Sequence, residues 1–84
     1  MKASAGTYES SDCLVTIQQH DTLQINIESI VFDQFGEQIE LVIKQTLNKH
    51  NIDNIKVDIF DKGALDYTVI ARVETALKRG GYIE

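Results

Sequence analysis

Between Asp12 and Gln18 the segment "DCLVTIQ" alternates, sending Cys13, Val15 and Ile17 to one side and Leu14, Thr16 and Gln18 to the other. That two-residue period predicts a half-buried strand. "TLQINIE" repeats the pattern, with Leu23, Ile25 and Ile27 on one face and Gln24, Asn26 and Glu28 on the other. The intervening "QHD" offers turn chemistry, so the two segments are expected to pair as an antiparallel hairpin. The period then lengthens. Phe32, Phe35, Ile39, Val42, Ile43, Thr46 and Leu47 recur at three- and four-residue steps and trace one stripe of a helix, with Asp33 available as its cap. Gly36 falls inside that stripe, implying either close packing or a later helix start. "NKHN" marks the end: Lys49 and His50 suit the negative pole of the helix, and Asn51 tolerates a left-handed backbone. "NIKVDIF" restores the strand period through Ile55, Val57 and Ile59, and "DKG" interrupts it. A second stripe, Leu65, Val69, Ile70, Val73, Ala76 and Leu77, predicts a helix from Ala64 to Arg79 with Gly80 as its stop.

The element order is therefore ββαβα. A sheet with one apolar face and two amphipathic helices make a two-layer α+β sandwich: a three-stranded, mostly antiparallel sheet covered by two helices. The first strand is expected between the other two. All 84 residues form one domain. Residues before Asp12 and after Gly80 carry neither period and are expected to be mobile.

Composition narrows the functional classes. The net charge of −5, with eight basic residues dispersed along the chain, opposes a phosphate backbone, so no nucleic-acid partner is expected. No apolar run approaches bilayer length, and "MKASAGTYES" lacks the apolar core of a secretory signal, which predicts a cytoplasmic protein without membrane association. Cys13 is the single cysteine, so it has no internal disulfide partner.

Catalytic and metal-binding constellations are sparse. His20 and His50 have no second ligand at metal spacing, and Cys13 falls on a strand's apolar face, where a thiol is inert. The corner "DKGALD" places Asp61 and Asp66 where first-turn electrostatics account for acidic residues, and their exposure is expected to help steer basic partner surfaces, with Glu9 and Asp12 nearby. Gly80 and Gly81 follow a helix, the wrong end for a phosphate site.

The serines of "GTYESSD", Ser10 and Ser11, remain. Local turn chemistry alone makes them a solvated lead-in. The segment "AGTYESSD", however, resembles the N-terminal "AGTLESGD"-type motif of the acyl carrier (gamma) subunit family of citrate lyase. "FG" at Phe35 and Gly36 and "DKGALD" from Asp61 to Asp66 resemble further motifs of that family at similar separations, so the resemblance spans nearly the whole chain. It implies that Ser10 is the residue esterified to a 2'-(5''-phosphoribosyl)-3'-dephospho-CoA group, with Ser11 where relatives often have glycine and Tyr8 where leucine is more usual. It further implies a non-catalytic carrier of acetyl and citryl thioesters, loaded by a prosthetic-group transferase. Its partners would be the alpha (citrate CoA-transferase) and beta (citryl-CoA lyase) subunits, which together convert citrate to acetate and oxaloacetate.

The carrier subunit of malonate decarboxylase is the nearest alternative, disfavoured because "ESSD" differs from its "GSGD". An interaction or assembly domain without a prosthetic group is the alternative of another class. A stand-alone hydrolase would need a base for Ser10 or Ser11, and no histidine is spaced to supply one.

Overall fold

The computed structural model describes residues 2–84 and is an α+β two-layer sandwich. Its strands are β1 (Lys2–Gly6), β2 (Cys13–Gln19), β3 (Gln24–Ser29) and β4 (Ile55–Asp61); its helices are α1 (Phe32–Lys49) and α2 (Asp66–Arg79). The order is βββαβα, one strand more than the periodicity predicts. The sheet runs β1-β2-β4-β3. β1 pairs antiparallel with β2, β2 antiparallel with β4, and β3 parallel with β4.

Two expectations are corrected here. The segment before Asp12 is not an unstructured lead-in: Lys2–Gly6 forms an edge strand in register with β2, Ala5 facing Val15 and Ala3 facing Ile17. Its apolar positions are alanines, small enough to hide the alternation, although Ala5 is buried. Nor do β2 and β3 form a hairpin, because β4 inserts between them. Inward-facing Ile55, Val57 and Ile59 are buried in β4, while Gln24, Asn26 and Glu28 leave β3 more polar. The more apolar strand takes the centre, and α1 makes the crossover that a parallel pair requires. Across that pair the Asn26 amide donates to Asp58 Oδ1 at 2.8 Å.

Both helices cover one face. Ile39, Val42, Ile43 and Leu47 of α1, with Val69, Val73, Ala76 and Leu77 of α2, pack against Cys13, Val15, Ile17 and the three β4 residues. Ile25, Ile27 and Ile70 are half-buried at the margin, whereas Leu23 and Phe35, expected inside, are exposed. Gly36 lies within α1 and is buried beneath the Phe32 ring; an added Cβ would sit 2.7 Å from that ring and displace it. After Gly80 the chain folds back, and Tyr82 and Ile83 pack on the core.

The topology gives the molecule two distinct ends. β3 and β4 finish, and both helices start, at the end where β2 begins. The Ser10 turn belongs to that end.

Candidate functional site: the serine turn and its supporting corner

Gly6 ends β1 with φ +96°, and a Cβ there would drive into the Cys13 carbonyl. Only glycine permits this approach. The chain then reverses through a tight turn in which the Asp12 N–H donates to the Glu9 carbonyl at 3.0 Å. Ser10 and Ser11 are its two central residues, and Ser11 has φ +64°. A positive φ at the third turn residue favours glycine, so Ser11 holds a backbone that glycine would adopt more readily. Ser10 occupies the other central position, exposed, and its hydroxyl takes no part in the bonds that hold the turn.

The turn is fastened on several sides. The Ser11 N–H donates to the Lys62 carbonyl at 2.8 Å and the Lys62 N–H to the Asp12 carbonyl at 3.0 Å, extending the β2–β4 ladder beyond Cys13 and Asp61. Asp12 accepts a two-pronged pair of 3.0 Å bonds from Arg72 of α2, a 2.7 Å bond from the Thr7 hydroxyl and a 2.7 Å bond from the Cys13 N–H. The Tyr8 ring packs edge-on against Phe60, with Lys62 Nζ 5.0 Å from its centroid. The serine therefore sits at the tip of a braced loop tethered at both ends.

Foremost among the causes, the Arg72 guanidinium holds the Asp12 carboxyl well below its ordinary value of 3.8, at about 2, with Thr7 adding to the effect. A carboxyl with a depressed pKa contributes stability that is present above its ordinary value and is lost as pH falls through its folded value. The clamp should therefore hold at pH 4 and above and release only toward pH 2. In an NMR titration, the Cys13 amide should move with a midpoint near 2 in the parent and near the ordinary carboxylate range in Arg72→Ala. A parent midpoint near 4 would show that the clamp is not closed in solution.

Behind the turn lies the "DKGALD" corner. Asp61 is not the exposed steering charge expected from the sequence: it is 1% exposed and organises the corner from inside. Its carboxyl accepts from the Ser29 hydroxyl at 2.8 Å, the Gly63 N–H at 3.2 Å and the Ala64 N–H at 3.0 Å. Ser29 in turn accepts from the Val31 N–H at the start of α1. Gly63 has φ +89°, which the corner needs to reach α2. Because Leu65 is still extended, with ψ 162°, α2 starts at Asp66 and not at Ala64. Asp61→Ala strands three donors and should cost about 3 kcal/mol of stability. A urea melt should show a lower midpoint at unchanged slope; an unmoved midpoint would refute this role.

The remaining candidates fall away from the turn's tip. Cys13 is buried, and burial first, then the neighbouring Asp12 and Asp61 charges, push its thiol up to about 12. His20 bonds within its own loop and His50 pairs with Glu74 at 2.7 Å, the latter toward the opposite end of the molecule. Among the described residues, no three His, Cys, Asp or Glu side chains are grouped to hold a metal ion, and no helix is long and apolar enough to cross a membrane. Arg72 and Lys62, which brace the turn, carried no sequence signal. Their contacts join residues about 50 to 60 positions apart.

An α+β domain that presents exposed serines on a braced turn, with its only thiol sealed in the core, has the build of a carrier. The chain belongs to the citrate lyase acyl carrier protein family. Residues 1–80 match the family model ACP, described as "Malonate decarboxylase delta subunit (MdcD)". The chain is 45% identical over 78 residues to the citrate lyase acyl carrier protein of Treponema denticola, covering 93% of this chain and 90% of that one. It is 51% identical over 78 residues to that of Lactiplantibacillus plantarum, covering 92% and 81%. In fold it is similar to a chain of the crystal structure of a Pseudomonas malonate decarboxylase hetero-tetramer in complex with malonate. That similarity has a TM-score of 0.77 at 19% identity and covers 93% of this chain and 81% of that chain.

Proposed function

We propose that this protein is the acyl carrier subunit of a citrate lyase complex and that Ser10 bears the covalent prosthetic group, 2'-(5''-phosphoribosyl)-3'-dephospho-CoA. The observation that carries the choice of residue is the turn itself. Both central serines are exposed and neither hydroxyl is used inside the domain; Ser11 has the left-handed backbone that favours glycine, which aligns it with the glycine of the motif the segment resembles and leaves Ser10, at the motif's serine position, with a free hydroxyl. Such a hydroxyl fits esterification to a bulky group, since nothing in the domain must move to expose it. When bound, the group supplies the terminal thiol on which acetyl and citryl groups are carried.

The chain's own residues perform positioning. Asp12, Arg72 and Thr7 fix the base of the turn, Tyr8 and Phe60 brace its side, and Lys62 ties it to the corner, so an attached arm swings from a defined point. Reach then belongs to the arm and aim to the protein. The partners in this reading are the alpha subunit with citrate CoA-transferase activity, the beta subunit with citryl-CoA lyase activity, and the prosthetic-group transferase, all in the cytoplasm. Peptide mass mapping after incubation with that transferase tests the assignment. A nucleotide-containing adduct is expected on Ser10, and an adduct on Ser11 would overturn it.

A further inference from the structure

At the serine end of the molecule, three elements deliver apolar side chains to one groove of about 610 Å³. Phe35 of α1 is 45% exposed, Leu65 of the corner 59% and Tyr67 of α2 71%, above a floor that includes Val31, Ile39 and Ala64. Leu65 stands at the N-cap of α2 with extended backbone, φ −76° and ψ 162°, and gives that helix no side-chain cap. Serine, threonine, aspartate or asparagine there would satisfy a free helix N–H, so an exposed leucine is unfavourable for folding on two counts. Val31 holds the equivalent position in α1, also without a side-chain cap. Two apolar residues at helix starts, converging on one open groove, mark a surface kept for contact.

The surrounding charge limits what can occupy it. Asp66, in the first turn of α2, stands in the groove lining, where it accepts from Gln38 at 2.9 Å. A second copy would bring two such carboxylates together on a chain of net charge −5. Phosphates of an attached arm would meet the same charge. An apolar side chain flanked by lysine or arginine is complementary to both the groove and its rim. The groove also shares a frame with the attachment point, because Lys62, bonded to Ser11, precedes Leu65 by three residues.

We propose that this groove is where the carrier docks on the catalytic subunits of its complex, an inference that rests on the carrier reading above. An apolar side chain of the subunit enters between Phe35, Leu65 and Tyr67, and a basic residue beside it meets Asp66. The test measures binding to the purified alpha and beta subunits in a Ser10→Ala background. No arm is then present, and failure of the groove is separable from failure of the Ser10 assignment, which mass mapping reads independently.

Leu65→Ser installs a favoured cap while removing the apolar contact, so it should melt at or above the parent temperature yet bind at least one subunit tenfold or more weakly. Tyr67→Ser, at the most exposed position of the three, should weaken the same interaction, and Asp66→Lys should lower its association rate and flatten its salt dependence. Parental affinity for both subunits in Leu65→Ser and Tyr67→Ser would overturn the proposal, as would no binding of the arm-less parent to either. It would equally be overturned if Leu65→Ser converted a dimer of this chain to monomer, which would place a second copy in the groove. A loss of affinity seen only in arm-bearing protein would place the arm there and overturn it too.

Discussion

Ser10→Ala is expected to abolish citrate cleavage by the reconstituted complex while leaving the domain folded. The residue is exposed at the tip of a turn whose bonds run through Glu9, Ser11 and Asp12, so losing its hydroxyl breaks none of them. A surface change of this kind alters stability by less than about 0.5 kcal/mol. Activity, in contrast, should fall to background, because the proposed role of Ser10 is to attach the group that supplies the acyl-bearing thiol. Two controls separate attachment from other uses of the loop. Ser11→Gly should be accepted by the prosthetic-group transferase and remain active, since glycine suits φ +64° better than serine does. Cys13→Ser should retain turnover in whatever fraction folds, because that thiol is buried and raised to about 12. Substantial citrate cleavage by Ser10→Ala complex, or its loss in Cys13→Ser protein that melts normally, would remove Ser10 from the mechanism.

What could be read from sequence divides along a physical line. β2, β4 and both helices were legible because branched aliphatic residues mark their periods strongly, and Asn51 has the left-handed φ of 57° that its residue type suggested. β1 was not, since "KASAG" alternates only between serine or lysine and alanine. Strand neighbours are not legible, because "QHD" describes a local turn, while the position of β4 depends on which strand is apolar enough for the centre of the sheet. The burial of Asp61 does have a sequence signal. The residue continues the inward alternation of Ile55, Val57 and Ile59, so its side chain faces the core unless the strand ends early. The resemblance singled out Ser10, but no local pattern foretold the brace around it. Arg72 reaches Asp12 across a separation of 60 residues, and only the packing of α2 beside β1 and β2 brings them together.

That central position of β4 sets the largest stability effect in the molecule, which should separate two residues that face each other in the sheet. Ile25 and Val57 are register partners on the same inward face, so alternation alone gives them equal weight. Burial does not: Val57 is fully buried in a strand with neighbours on both sides, whereas Ile25 is half-buried on the edge strand. In Val57→Asp the carboxylate has no route to water and no buried partner among the core residues, which are apolar around it. Desolvating it costs several kcal/mol, and the lost valine burial adds roughly 1.5–3 kcal/mol. Set against the roughly 5–15 kcal/mol that holds a domain folded, this is enough to unfold one of 84 residues. Ile25→Asp should instead let its carboxylate turn out past the sheet edge, losing about 2 kcal/mol of apolar contact and leaving a folded protein with a lower melting temperature. Circular dichroism melts of the two variants read the difference directly. A cooperative transition in Val57→Asp, or none in Ile25→Asp, would mean that β4 does not hold the centre of the sheet in solution.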